Sequence, residues 1–203
     1  MTGGGALVWQ YESKCEYSTQ SLYAVINFRG VVPVYIPSIW KVRVPPKIQV
    51  FLWLVSNNKI MTVDNLSRRG VIKPLECQFC LDHESVNHLF FECVVAQYIW
   101  KLFHSFSGVM ISSYLDLASK WRCEKKFALT NSISAGILWG LWLTRNDFVF
   151  NHQAWKSMKT VIRRIWLIMV DWKPMYQGDL AQGMDRWRSF LEEALKMPLA
   201  LGC

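Results

Sequence analysis

The sequence predicts a mainly α-helical protein: a helical domain with a small cysteine- and histidine-containing module embedded in it and one weak strand near the N-terminus. Apolar residues recur at helical spacing in several stretches of the chain. Only residues 6–11 weakly indicate a strand. Three of the six cysteines fall within 17 residues of one another beside a histidine, which favours a compact module over scattered core thiols.

The composition indicates a folded chain with a sizeable core. The 203 residues suit one large or two small domains, and a hydrophobic content of 52% with 14% aromatic residues excludes a disordered polyelectrolyte. Charged residues make up 19%, below the roughly 25% of an average soluble domain. We therefore expect some apolar surface to face a partner protein.

No stretch of the sequence is typical of a secreted or membrane protein. Residues 1–5 do not begin a signal peptide, and the longest apolar stretches, residues 137–143 and 165–170, are far shorter than the ~20 residues that span a bilayer. We expect an intracellular protein of the nucleus or cytoplasm, with no membrane partner and no small-molecule substrate. Its cysteines are then thiols or metal ligands rather than disulfides.

Helical patterns occur along most of the chain. Ser18 or Thr19 could cap a helix that runs to Asn27. Thr62 is predicted to cap a helix with an acidic first turn that ends near Gly70. Residues 131–150 and 157–170 form two longer patterns, and the second has a basic face that contains Lys159, Arg163 and Arg164.

A further helix is predicted to begin at Pro45 and Pro46, because proline suits the first helical turn. One face of this helix carries Ile48, Phe51, Leu52 and Val55. Since Trp53 and Leu54 make its other side apolar as well, we expect the helix to be largely buried. Trp40, Phe51 and Trp53 lie in apolar periodic runs and are predicted to be core residues.

The sequence contains one pattern with metal-binding chemistry. Cys77, Cys80, His88 and Cys93 have the spacing C-x2-C-x7-H-x4-C, in which two thiolates on a tight turn and two later ligands complete a tetrahedron around zinc. Four protein ligands leave no position for an activated water, so the predicted site is structural. The alternative is four unrelated side chains that happen to align, since free cysteine is common in cores.

The remaining cysteines and histidines are weaker candidates. His83 is a rival ligand, but residues 82–84 have the composition of a solvated loop, so we expect His83 to be exposed. Ser85 is predicted to start a helix with His88 in its first turn. Cys15, Cys123 and Cys203 have no partners at metal-binding spacing and are interpreted as structural or incidental thiols.

Ordered motifs extend over about residues 7–103. They comprise Trp9, residues 17–18, 21–23, 39–54, 58–66, 69–70 and 77–80, the run Glu84-Ser-Val-Asn-His-Leu-Phe-Phe-Glu-Cys93, and residues 99–100. Together they resemble the zinc-binding domain that follows the reverse transcriptase in plant non-LTR (LINE-type) retroelements. The resemblance implies Cys77, Cys80, His88 and Cys93 as the zinc ligands.

The same resemblance implies a domain organisation. Residues 6–105 correspond to the zinc-binding domain, and residues 106–203 to a helical C-terminal region that would precede a ribonuclease H domain, since residues 138–142 and 145–150 resemble that linking segment. Two departures are Cys15, where the family usually has glycine, and Val94, where proline often follows the last ligand. Neither removes a ligand.

Catalytic patterns are missing from the sequence. A reverse transcriptase needs paired aspartates for two metal ions, and no Asp-Asp pair occurs in the chain. The later carboxylates fall in helical patterns, where solvated faces explain them better than a ribonuclease H centre. Cys123 and Ser134 have no nucleophile motif around them. We therefore expect a protein that is not an enzyme.

Charge favours binding to nucleic acid. Residues 41–73 carry a net charge of +6, residues 74–105 a net charge of −3, and residues 156–173 a net charge of +4. In the first basic zone, the residues expected to contact RNA or DNA phosphates are Lys47, Lys59, Arg68 and Arg69. The alternatives are a solvated helix face for these charges and, for the whole chain, a stand-alone domesticated or relict protein-interaction module.

Overall fold

The computed structural model describes residues 18–19, 37–72, 74–122, 124–151 and 157–197. The predicted strand at residues 6–11, most of the predicted helix that ends at Asn27, and Cys15, Cys123 and Cys203 lie outside the described residues. Contacts divide the chain into two compact units, Met1–Val34 and Tyr35–Cys203. Every feature discussed below belongs to the second unit.

Helices make up most of the described part of the second unit. The α-helices are α1 (Pro46–Ser56), α2 (Val63–Ser67), α3 (Val94–Ser107), α4 (Tyr114–Lys120), α5 (Ala128–Asn151), α6 (Met158–Trp172) and α7 (Gly178–Lys196). Three short 3-10 helices, Pro37–Lys41, Lys125–Phe127 and Lys173–Met175, and one π-helical turn, His88–Glu92, complete the set among these residues.

The predicted mainly α-helical class is confirmed. Among the described residues, β-structure is confined to an isolated antiparallel bridge between Glu76 and His83. In the same part of the chain, no helix combines the length and the apolar character needed to cross a membrane.

Helix α5 is the centre of the unit. It packs against α1, α3, α6, α7 and the π-helical turn. Its side chains from Ile133 to Leu141 are almost all buried. Gly140 allows α6 to approach closely, because a Cβ atom at this position would lie 2.6 Å from Cγ1 of Ile165. The helix predicted at residues 131–150 is therefore confirmed, and it is the element on which the rest of the unit packs.

Helix α1 begins at Pro46 as predicted and buries one face. Ile48, Phe51, Leu52 and Val55 are buried, and the Phe51 ring lies edge-on to the Trp139 ring of α5, with centroids 4.9 Å apart. The prediction that α1 is largely buried was wrong. Trp53 is 41% exposed because α5 covers only the Phe51 side of α1, and an apolar run does not indicate which side a neighbour will cover. Trp40, in the 3-10 helix Pro37–Lys41, is 50% exposed, so it is not a core residue either.

Helix α2 begins directly after Thr62, as predicted, but Thr62 does not cap it. The Thr62 hydroxyl bonds the Asp64 carboxylate at 2.5 Å. The first backbone N–H of the helix, at Val63, instead donates to the carboxylate of Glu84 at 2.9 Å. Gly70, with φ of +81°, follows the helix at the predicted position, since glycine adopts this conformation at little cost.

Helix α6 confirms the pattern predicted at residues 157–170. Its basic face contains Arg163, which is exposed, and Arg164, which forms an ion pair with Asp147 of α5. The domain boundary predicted between residues 105 and 106 falls inside α3, and helices from both sides of it pack together within Tyr35–Cys203. The assignment of residues 6–105 to a zinc-binding domain and of residues 106–203 to a separate region stays a prediction.

Candidate metal centre

Cys77 and Cys80 lie on a tight hairpin. The hairpin is closed by hydrogen bonds from the Glu84 N–H to the Leu75 carbonyl (2.8 Å) and from the Cys77 N–H to the Asp82 carbonyl (2.6 Å). Leu81 follows Cys80 with φ of +66°, an uncommon conformation for a residue with a branched side chain, and its N–H donates to the Cys77 carbonyl. The turn therefore places both sulfurs on one side of the hairpin.

His88 and Cys93 are positioned by the π-helical turn. The Ser85 hydroxyl accepts a hydrogen bond from the His88 N–H at 3.1 Å, so Ser85 starts the turn as predicted. The Cys93 N–H donates to the His88 carbonyl at 2.8 Å, five residues back. The Trp100 indole N–H of α3 donates to the Phe90 carbonyl at 2.6 Å and fastens the turn to the next helix.

The structure brings the four predicted ligands together. The Sγ atoms of Cys77 and Cys93 are 3.9 Å apart, those of Cys80 and Cys93 are 3.7 Å apart, and Cys80 Sγ lies 3.1 Å from His88 Nε2. All four ligand atoms lie within 4.8 Å of one another. A tetrahedron with zinc–sulfur bonds of about 2.3 Å has edges of about 3.8 Å, so the arrangement fits a tetrahedral zinc ion.

The site is largely shielded from water. Cys77 and Cys93 are fully buried, His88 is buried, and Cys80 is half-buried. The Phe79 N–H donates to Cys77 Sγ at 3.4 Å and would stabilise negative charge on that sulfur. Three thiolates and one imidazole form a donor set typical of structural zinc.

The thiols of the cluster differ in protonation. The hydrogen bond with Cys93 has the largest influence on Cys77 and lowers its pKa to about 5, although burial acts in the opposite direction. The same contact raises the pKa of Cys93 well above its usual range, and burial raises the pKa of Cys80. Without metal, the cluster at neutral pH thus holds one thiolate, at Cys77, beside two thiols.

A buried ion pair lies directly behind the hairpin. Glu84, which sequence reasoning placed in a solvated loop, is completely buried, and so is its partner Arg145 of α5. Arg145 donates from Nε and Nη2 to the two carboxylate oxygens, at 3.1 and 2.6 Å. The expectation for Glu84 was wrong because the residue that neutralises it lies 61 positions away in the sequence.

The other residues that the sequence suggested as site residues lie outside the cysteine and histidine cluster. His83 is exposed, as predicted, and does not belong to the cluster. Lys47, Arg68 and Arg69 are exposed, and Lys59 is half-buried. Arg68 forms an ion pair with Asp64 at 3.5 Å, so part of its charge is already compensated.

Comparison with known proteins supports the assignment of this region. Residues 17–100, which include all four clustered side chains, match the family described as zinc-binding in reverse transcriptase. The chain is also 27% identical over 161 residues to a protein of Arabidopsis thaliana provisionally named a ribonuclease H protein. That alignment covers 73% of this chain and 26% of the relative, so the chain spans about a quarter of the length of the curated relative it matches. No solved structure matches the chain.

These matches confirm the resemblance inferred from the motifs. Residues 17–100 are similar to the zinc-binding region of reverse transcriptases, and the matching relative is a plant protein, which fits a retroelement-derived origin. Assignment to LINE-type elements stays a prediction.

Proposed function

We propose that this chain, whose residues 17–100 match the zinc-binding domain of reverse transcriptases, is a non-catalytic part of a plant LINE-type polyprotein that binds RNA or DNA. A structural zinc ion held by Cys77, Cys80, His88 and Cys93 would keep the binding domain folded. The observation that carries the proposal is the closed four-ligand arrangement, which leaves no open position for a reacting water.

Zinc would act here through folding. The hairpin with Cys77 and Cys80 contains a single isolated bridge, and little other regular structure holds it. Zinc binding to such modules contributes on the order of 10 kcal/mol or more at neutral pH, because the site does not exist in the unfolded chain. Binding of zinc would therefore order residues 75–83, the part of the hairpin that precedes the buried Glu84–Arg145 pair.

Nucleic-acid binding is supported by the charge of the segment that precedes the metal ligands in sequence. The exposed side chains of Lys47, Arg68 and Arg69 belong to the +6 zone that precedes the cluster in sequence. Each phosphate that they neutralise would release counterions and add about 0.7 to 0.9 to the salt dependence of binding. The thiolate ligands require a reducing compartment, so we place the protein in the nucleus or cytoplasm.

A salt titration of binding to labelled RNA and DNA oligonucleotides tests this function. We expect affinity that falls steeply with salt and that is lost in His88→Ala, while His83→Ala, an exposed histidine five residues earlier, binds as the wild type does. Absence of binding by the zinc-loaded chain at low salt would exclude a nucleic-acid role.

A protein-interaction module is the alternative function. It is favoured by exposed apolar side chains on the same unit, among them Ile72 at 99%, Leu81 at 75% and Trp40 at 50% exposure. Such a module would show no affinity for RNA or DNA at low salt while it retained its zinc. The two functions are thus separated by the same titration.

A further inference from the structure

A cleft outside the cysteine cluster is lined by cations from two segments, residues 41–43 before the cluster in sequence and residues 122–125 after it. It has a volume of about 420 Å³ and lies between the 3-10 helix Pro37–Lys41 and the starts of α5 and α7. Its basic lining residues are Lys41, Arg43, Arg122 and Lys125, and its apolar floor includes Val42, Ala128 and Leu180.

The four cations of the cleft are available for a ligand. All four side chains are exposed, and within the described residues none of them forms an ion pair with a carboxylate. Two acids also line the cleft, but Glu124 is paired with Lys126 at 3.0 Å, which leaves Asp179 as the opposing charge. Four exposed cations that line one cleft make it a favourable place for an anion, since like charges repel.

Helix α5 anchors the backbone segments that carry the two arginines of the cleft. The buried Asn131 side chain of α5 donates from Nδ2 to the Arg122 carbonyl at 2.9 Å. The Arg122 guanidinium carbon lies 5.8 Å from the centroid of the Phe127 ring, within reach of a cation–π interaction. The neighbouring Ser132 hydroxyl of α5 donates to the Arg43 carbonyl at 3.4 Å. Both arginines are thus attached to α5.

We propose that this cleft binds the phosphate backbone of a single-stranded polynucleotide. The inference rests on the proposed nucleic-acid function and names a surface for it that the sequence candidates do not include. A volume of 420 Å³ lies within the roughly 300 to 1,000 Å³ typical of small-ligand sites, so the cleft has room for one nucleotide unit but not for a duplex. Its cations would contact the phosphates on either side of that unit.

The cleft also explains why the C-terminal region accompanies the zinc-binding domain. Lys41 and Arg43 lie inside the family match at residues 17–100, whereas Arg122 and Lys125 lie beyond it. Neither group alone forms the cleft. Polynucleotide binding would therefore require the whole Tyr35–Cys203 unit.

The test uses the full chain loaded with zinc and a labelled 12-nucleotide single-stranded RNA, with the DNA of the same sequence in a second series. The cleft variant is Arg43→Ala combined with Lys125→Ala. The matched control, Lys101→Ala combined with Arg163→Ala, removes two exposed cations outside the cleft. Circular dichroism and zinc content establish that each variant is folded.

We expect the cleft variant to lose about tenfold in affinity at low salt and to reduce the salt slope by about 1.4, the value for two lost contacts to a single strand. The control variant changes the affinity and the salt slope by less than half as much as the cleft variant does. Asp179→Asn removes the opposing carboxylate and strengthens binding severalfold. Inorganic phosphate and a mononucleotide compete only weakly, because each supplies one of several contacts.

Three results would overturn the inference. A folded cleft variant that binds like the wild type leaves the proposed nucleic-acid function intact but places the binding surface elsewhere. A mononucleotide that competes as strongly as the oligonucleotide makes the cleft a site for a free nucleotide. Absence of wild-type binding to either oligonucleotide removes the proposed function itself and the inference with it.

Discussion

Arg145 and Glu84 form a two-pronged ion pair that is completely shielded from solvent. The same carboxylate accepts the first backbone N–H of α2, from Val63. One buried group therefore joins the metal-binding hairpin, α2 and the central helix α5. The pair connects two segments that carry the resemblance, residues 84–93 of the zinc-binding region and residues 145–150 of the linking segment.

The first prediction concerns this ion pair. Arg145→Ala leaves the Glu84 carboxylate buried without its partner, so we expect the free energy of unfolding to fall by about 3 to 5 kcal/mol. Urea denaturation of the zinc-loaded chain measures the change. Arg186→Ala, which removes an exposed arginine of α7, should change the free energy by less than about 0.5 kcal/mol. Equal stability of the two variants would show that the pair contributes nothing to the fold.

The second prediction separates the two histidines near the hairpin. His88→Ala removes a ligand whose Nε2 lies 3.1 Å from Cys80 Sγ, whereas His83→Ala removes an exposed side chain. We expect zinc affinity to fall at least about tenfold in the first variant and to remain unchanged in the second. Competition with a chromophoric chelator gives both affinities. The reverse order would make His83 the ligand.

The third prediction concerns the protons released when zinc binds. The pKa of Cys77 is lowered to about 5, so this ligand is already a thiolate at pH 8, whereas Cys80 and Cys93, whose pKa values are raised, must each lose a proton. Zinc binding at pH 8 should therefore release about two protons, and the affinity should fall as the pH is lowered. Calorimetry in buffers of different ionisation enthalpy measures the number. Release of three protons would mean that Cys77 is a thiol in the metal-free protein.

The fourth prediction tests the close contact of α5 and α6. Gly140→Val places new atoms against Ile165, so we expect overpacking to destabilise the fold by about 1 to 3 kcal/mol. Ile165→Ala frees space at the same contact. In thermal or urea unfolding, the double variant should therefore be more stable than the sum of the single changes implies. Strict additivity would show that the two positions do not touch.

Local patterns predicted much of this fold. Pro46 marks the start of α1, the spacing of Ile48 and Val55 identifies its buried face, and the apolar repeat of residues 131–150 predicts α5. The zinc ligands were predicted for the same reason, because the spacing of Cys77 and Cys80 is itself a local signal. These features depend on neighbours within a few residues.

Contacts between distant segments could not be predicted in this way. Glu84 was expected in water because it follows Asp82 and His83 in a polar run, whereas its burial is compensated by Arg145 of α5 and by the Val63 N–H. Trp53 was expected in the core, since an apolar run does not reveal which face another helix will cover. The cationic cleft likewise depends on residues more than seventy positions apart, such as Arg43 and Arg122.

The measurement that tests the account most directly is the metal content of the purified chain. Elemental analysis after gel filtration should find about one zinc ion per chain. Cys77→Ser should lower the zinc content and at the same time disorder the hairpin. The matched control is Ser85→Ala, which changes a neighbouring residue that lies outside the cluster. A wild-type chain that is folded and contains no zinc, or that keeps its zinc when Cys77 is replaced, would contradict the assignment of the site.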